Sequence, residues 1–178
     1  MKKAYFTGIG GIGMSALALL AKNSGFSVSG SDLSDSAITD AVIKKGIKVN
    51  IGQVGKNIHP KTDILVYSLA VEPTNPERAE ASKLKIKQMS YPEALGWFTK
   101  KQKNICISGT HGKSTVSGML SKILVDCKVD PLVIIGTKTK YLKSGGRFIV
   151  PLPQPRVIRA EEIDDTKPGH VLQGARSE

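Results

Sequence analysis

The sequence predicts an α/β fold organised around a doubly wound parallel sheet. Two observations lead there. Short apolar runs alternate with segments of helical periodicity over residues 3–90, the pattern of βαβ units joined by right-handed crossovers. Directly after the first apolar run stands a G-x-G-x-x-G pattern at Gly8, Gly10 and Gly13, in the strand–loop–helix context that the motif requires. A second glycine loop, Gly109-Thr110-His111-Gly112-Lys113-Ser114-Thr115, follows another apolar run about one domain later. The full expectation is a Rossmann-like sheet followed by the start of a P-loop ATP-binding α/β domain.

The elements follow in order. Lys3–Thr7 is the first strand. Met14–Asn23 is helical, with Met14, Leu17, Ala18 and Ala21 at helical spacing and Gly25 as its stop. Phe26–Ser29 is the second strand, Ser36–Lys45 the second helix and Ile47–Ile51 the third strand. Ile64–Tyr67 has the continuous apolar run of a strand buried on both faces. Asn75–Lys83 is helical, with Pro76 in a permitted first-turn position. Ile86–Met89 is a fifth strand, and Pro92–Thr99 a short helix carrying Trp97. Lys100–Lys103 is a charged linker. Asn104–Ser108 and Pro131–Ile135 are further strands, flanking a helix that runs to about Val125. Residues 143–178 contain four of the nine prolines and no clear periodicity, so they read as an irregular tail. The domain expectation is therefore 1–99, 104–142 and an irregular 143–178.

Composition narrows the function. A chain of 178 residues with 40% hydrophobic content supports one domain, or one domain and part of another. No run approaches the roughly 20 apolar residues of a membrane span. The opening Met1–Phe6 turns apolar only briefly before glycines intervene, as in a first strand and not a secretion signal. Cys106 and Cys127 do not make a disulfide framework, which points to a reducing, cytoplasmic setting. The net charge is +11, but the lysines are scattered and aromatics are only 5%, so neither a nucleic acid nor a membrane partner is expected. A solvated basic surface also suits phosphate-rich ligands.

In the first loop, Gly8 permits a tight turn, Gly10 lets backbone approach a pyrophosphate, and Gly13 allows close helix–strand packing. The amides at the helix start then face an anion. Asp32, 19 residues after Gly13, stands where a ribose or base edge could be held. Taken alone, these features fit NAD. In the second loop, Lys113 can reach the β/γ-phosphates of ATP and Ser114 can ligate Mg²⁺. The general eight-residue motif is incomplete, because its first glycine falls on Ile107. His111 is more readily a loop-shape residue than a base. A simple dehydrogenase has no use for this second loop, whereas an enzyme taking a nucleotide-linked substrate and ATP needs both.

Together with Met14-Ser15, Ser29-Gly30-Ser31-Asp32, Ser68-Leu69-Ala70-Val71 and Asn75-Pro76-Glu77, the two loops resemble the Mur ligases in order and spacing over roughly residues 3–142. G-I-G-G-I-G-M-S and G-T-H-G-K are most similar to the alanine-adding branch; branches that recycle murein peptide or add other residues also fit. The resemblance implies a cytoplasmic ATP-dependent amide ligase of peptidoglycan, cell-wall and cell-division biology, with UDP-N-acetylmuramate and L-alanine as substrates. It implies that the amides of Gly10, Gly11, Ile12 and Gly13 meet the UDP diphosphate, and that Asp32 meets the uridine, with Ser68 and Asn75 nearby. It assigns ATP to Gly109, Thr110, His111, Gly112, Lys113, Ser114 and Thr115, with Lys113 catalytic and Ser114 on Mg²⁺. For Ser68 and Asn75, plain turn and cap chemistry is the alternative. Such ligases are longer. An acidic metal-binding segment and a third domain are expected after Leu142 and are not found, which suggests a truncated or frame-shifted chain, or one with an unrelated tail, inactive alone. The other readings are a non-catalytic UDP-sugar-binding module and an NAD-dependent oxidoreductase.

Overall fold

The computed structural model describes residues 1–129 and 131–135. The chain divides into two compact units, Met1–Phe98 and Thr99–Glu178.

The first unit is a five-stranded parallel sheet. Its strands are β1 (Lys3–Thr7), β2 (Ser27–Asp32), β3 (Lys48–Ile51), β4 (Ile64–Tyr67) and β5 (Lys87–Ser90), in the spatial order β3-β2-β1-β4-β5. Helices α1 (Ile12–Asn23), α2 (Ala37–Lys44) and α3 (Pro76–Lys83) make the crossovers, and a 3-10 turn at Gly55–Asn57 lies on the return from β3 to β4. The order reverses between β1 and β4, so right-handed crossovers carry α1 and α2 to one face and α3 to the other. Strand alternation feeds both layers. Tyr5 and Leu65 pack with Ile58, Ala81 and Ile86 on the α3 side. Ala4 and Phe6 alternate with Tyr5 and so face the other way, toward the layer that holds the buried Leu17, Ala18 and Ala21 of α1. A final helix of this region, α4 (Tyr91–Thr99), brings Trp97 and Phe98 against Phe26 in edge-on contacts with centroids 6.0 and 5.4 Å away, and the two rings themselves meet edge-on at 4.9 Å.

The first unit follows the sequence expectation to within a few residues. The main shift is β2, which starts and ends later than Phe26–Ser29 because its ladders to β1 and β3 continue through small polar residues to Asp32.

The second unit differs more. Helix α5 (Lys113–Asp126) forms as expected. Asn104–Ser108 and Pro131–Ile135, expected as strands, carry no strand. An apolar run becomes a strand only when its N–H and C=O groups meet a neighbouring ladder. Neither run finds one among the described residues, and Ile105 is left 63% exposed. The expected tail, residues 143–178, and the end of the 104–142 segment lie outside the described residues.

Candidate functional site

Ligands of open α/β sheets bind beyond the carboxyl ends of the strands where strand order reverses. Here that point lies between the ends of β1 and β4, where Gly8 and Ser68 meet: a Cβ on Gly8 would stand 3.1 Å from Ser68 Cβ.

The glycine loop is built from this strand end. Gly8 takes a left-handed φ of 82°, which a side chain would strain. The amides of Gly8 and Ile9 both donate to the Ser31 carbonyl at 2.9 Å, pinning the loop to β2. Gly10 N–H donates to Asp32 Oδ2 at 2.7 Å, and Gly11 N–H to the Gly8 carbonyl at 3.2 Å. Thus two of the four amides expected to face a diphosphate are engaged inside the loop. Ile12 and Gly13 precede the first bond of α1, from Ser15 N–H to the Gly11 carbonyl, and no side chain caps them. These amides carry the anion-binding capacity of the helix start. The other two glycines stand close against side chains. A Cβ at Gly10 would meet Asp32 Oδ2 at 2.8 Å, and one at Gly13 would meet the Tyr91 ring at 2.7 Å.

A cleft of about 470 Å³ opens beside the loop. Gly11, Asp32, Ser68 and Asn75 line it, so three strand ends and the start of α3 bring four of the expected residues together. Asp32 is a clamp as well as a lining residue, because its second oxygen accepts from Leu33 N–H at 2.8 Å. Asn75 caps α3 by accepting from Glu77 N–H at 2.9 Å, and its amide donates to Gln53 Oε1 at 2.7 Å. Cap chemistry and a place in the cleft therefore coincide at Asn75. Leu33, 73% exposed, gives the cleft an apolar wall beside Asp32.

Sequence reasoning did not single out Gln53, Leu33, Tyr91 or Glu77 as functional. Glu77 is the most consequential. It is fully buried and receives the hydroxyls of Tyr5, Thr7 and Ser31 and the amide of Asn57, at 2.6–2.9 Å. Burial pushes the Tyr5 phenol well above its usual range, so it remains a donor to that carboxylate. The available signal was the pair Thr7 and Ser31, two hydroxyls at the ends of buried strands that each need an acceptor.

The second loop has a different construction. Gly109 and Gly112 have left-handed φ values of 151° and 79°, and Gly112 precedes α5 as its N-terminal cap. The Lys113 ammonium donates to the Gly109 carbonyl and, at 3.1 Å, to that of Thr110. The structure thus gathers Gly109, Thr110 and Lys113, with Ser114 and Thr115 in the first turn of α5. Thr110 and His111 are exposed. No group of three or more His, Cys, Asp or Glu side chains is placed to hold a metal ion among the described residues. Ser114 offers one hydroxyl of the kind Mg²⁺ accepts beside nucleotide phosphates.

The sequence profile described as "Mur ligase family, catalytic domain" matches residues 3–103. The UDP-N-acetylmuramate–L-alanine ligase of Clostridium kluyveri is 46% identical over 136 residues, 76% of this chain and 30% of that protein. The enzyme of the same name from Caldicellulosiruptor bescii is 41% identical over 167 residues, 93% of this chain and 36% of its own length. A match of that extent necessarily takes in the second glycine loop and part of the sequence beyond residue 142. Among solved structures, the UDP-N-acetylmuramate-alanine ligase of Thermotoga maritima superposes with a TM-score of 0.75 at 29% identity, covering 82% of this chain and 34% of that one. A murein peptide ligase of Psychrobacter arcticus gives 0.70 at 26%, covering 75% and 28%. The chain spans about a third of the length of the curated relatives it matches.

Proposed function

The chain belongs to the Mur ligase family, and on that premise we propose that it serves an ATP-dependent ligation joining L-alanine to UDP-N-acetylmuramate in cytoplasmic peptidoglycan precursor synthesis. The observation that carries this reading is the cleft at the strand-order reversal, where Asp32, Ser68 and Asn75 meet the glycine loop. The UDP diphosphate would lie against the Ile12 and Gly13 amides, and the uridine toward Asp32 and Leu33. No helix of the described residues is long and apolar enough to cross a membrane.

In the proposed reaction the muramoyl carboxylate oxygen attacks the γ-phosphorus of ATP. The bond to the β-phosphate oxygen breaks, leaving ADP and an acyl phosphate. The alanine amine then attacks the acyl carbon, loses a proton and expels inorganic phosphate. Such phosphoryl transfer depends on positioning and charge neutralisation. Lys113 would leave its loop carbonyls for the β/γ-phosphates, with the backbone of Gly109–Gly112 around them. Ser114 would give Mg²⁺ a hydroxyl ligand, and the ion would add neutralising charge when bound.

Calorimetric titration of the 178-residue chain with UDP-N-acetylmuramate and with NAD tests the reading. We expect the UDP-sugar to bind and NAD not to. Gly10→Val, whose side chain collides with Asp32 and Thr39, should weaken UDP-sugar binding by about 100-fold or more in a folded variant. Binding of NAD in its place, or unchanged UDP-sugar affinity in the variant, overturns the assignment.

A further inference from the structure

Glu77 has no neighbour that explains a buried charge in the ordinary way. Its side chain is fully buried, yet no cation pairs with it among the described residues. It sits in the first turn of α3, just after Pro76, where the helix dipole favours a negative group. The rest of its compensation comes from neutral donors. Oε1 accepts from Tyr5 Oη at 2.9 Å and Asn57 Nδ2 at 2.8 Å. Oε2 accepts from Thr7 Oγ1 at 2.8 Å and Ser31 Oγ at 2.6 Å. Four donors are thus directed at one acceptor-only group, an arrangement that leaves several buried polar atoms unsatisfied if the group is removed.

The four partners hold the parts of the cleft. Thr7 is the residue from which the glycine loop departs. Ser31 is the residue whose carbonyl receives the Gly8 and Ile9 amides, and it precedes Asp32. Asn57 also donates to the Gly52 carbonyl at 2.9 Å, which fixes the segment carrying Gln53. Glu77's own amide is held by Asn75, which in turn holds Gln53. One carboxylate therefore ties the base of the glycine loop to the start of α3 and to the Gln53 segment.

We infer that Glu77 is a positioning residue for the UDP end of the substrate: it holds the glycine loop in register with the uridine side of the cleft so that base and diphosphate are gripped together. This rests on the proposed UDP-sugar reading. It concerns geometry and not attraction, because a buried negative charge beneath a phosphate loop would by itself repel the ligand. The substitution Glu77→Gln keeps the shape and removes the charge. Asn57 already donates to the Gly52 carbonyl, so the Gln oxygen is best placed toward Asn57 and Tyr5. Its NH₂ then faces the Thr7 and Ser31 hydroxyls, which must turn from donors into acceptors and lose the acceptor they share, so the tie to the loop is the one that suffers.

The test is to titrate the native chain and Glu77→Gln with UDP and with UMP, and to record the thermal midpoint of each protein. The native chain should prefer UDP. In Glu77→Gln the affinity for UDP should fall about tenfold or more, while that for UMP changes less than about threefold, so the preference for the second phosphate collapses. Thr7→Val, which removes only the donor at the loop's base, should move the same preference in the same direction, and it decides the matter if Glu77→Gln does not fold. An equal loss for both ligands overturns the inference, because a merely structural carboxylate would weaken them alike. Unchanged or tighter UDP binding also overturns it. Absence of UDP binding by the native chain would instead sink the parent reading, and this one with it.

Discussion

The two glycine loops follow one chemical recipe and are held in different ways. Each places glycines before a helix whose first amides lack a side-chain cap. The first loop leaves a strand paired on both sides, and its amides are fixed to Ser31, Asp32 and Gly8. The second leaves a segment with no strand, and its internal bonds come from Lys113 reaching back to Gly109 and Thr110. Helix α5 also turns apolar side chains outward. Val116, Met119 and Ile123, at helical spacing along one side, are 50%, 48% and 54% exposed. Glycine and a helix start supply the chemistry of phosphate binding. The scaffold decides which amides are left free, and among the described residues the first loop is the one anchored to paired strands.

The sharpest way to break this contrast is to attack the scaffold of the first loop. Gly30 lies in β2 against Phe6 and Ile9, and a Cβ there would stand 2.4 Å from the Phe6 carbonyl oxygen. That neighbour is strand backbone and cannot move aside. Gly30→Ala should cost about 3 kcal/mol, the upper range for overpacking a tight interior. Urea unfolding followed through Trp97, which packs within the first unit on Phe26 and Phe98, measures it. A variant as stable as the native chain would show that the first scaffold is no stiffer than the second.

The second loop should respond through its ligand and not through its stability. Lys113 is exposed, and among the described residues its side chain bonds its own loop. Lys113→Ala should leave the thermal midpoint nearly unchanged and lower ATP affinity about tenfold or more, the loss of charge-assisted bonds to phosphate. UDP-N-acetylmuramate should bind the variant as before. Equal ATP affinity in both proteins would remove Lys113 from the proposed nucleotide site.

The same contrast explains what the sequence could and could not say. Strands β1 and β4 were legible because their apolar runs are buried on both faces, and α3 because Pro76 marks its first turn. The cleft was half legible. Asp32, Ser68 and Asn75 are at strand or helix ends, where fold topology brings them together. Glu77 was not legible. It lies in a polar stretch, Pro76–Lys83, and its burial is decided by hydroxyls 46–72 residues away in sequence. The occupied amides of Gly10 and Gly11 were hidden for the same reason, since a motif gives the glycines and not their partners. Asn104–Ser108 misled in the opposite direction: local hydropathy supplies a strand's composition but not its neighbour.

The smallest expected effect sharpens the comparison at helix starts. Helix α5 has no side-chain cap, whereas at the start of α4 Glu93 Oε2 accepts from both Ser90 N–H at 2.8 Å and Ser90 Oγ at 2.6 Å. These bonds, the hydroxyl's first and the amide's second, lower the Glu93 carboxyl below the ordinary value of 4.5. A carboxylate with a depressed folded-state value stabilises the fold above its unfolded-state value. That contribution is lost as pH falls through the lower, folded-state one. Glu93 is fully exposed, so the effect is small. Glu93→Gln cannot ionise and keeps one acceptor. At neutral pH the native chain should melt slightly above the variant, and the gap should close as the pH is taken down through the carboxylate range. Melting curves of the two proteins over that range decide it. A gap of the same size at every pH would mean that the charge of Glu93 contributes nothing to the start of α4.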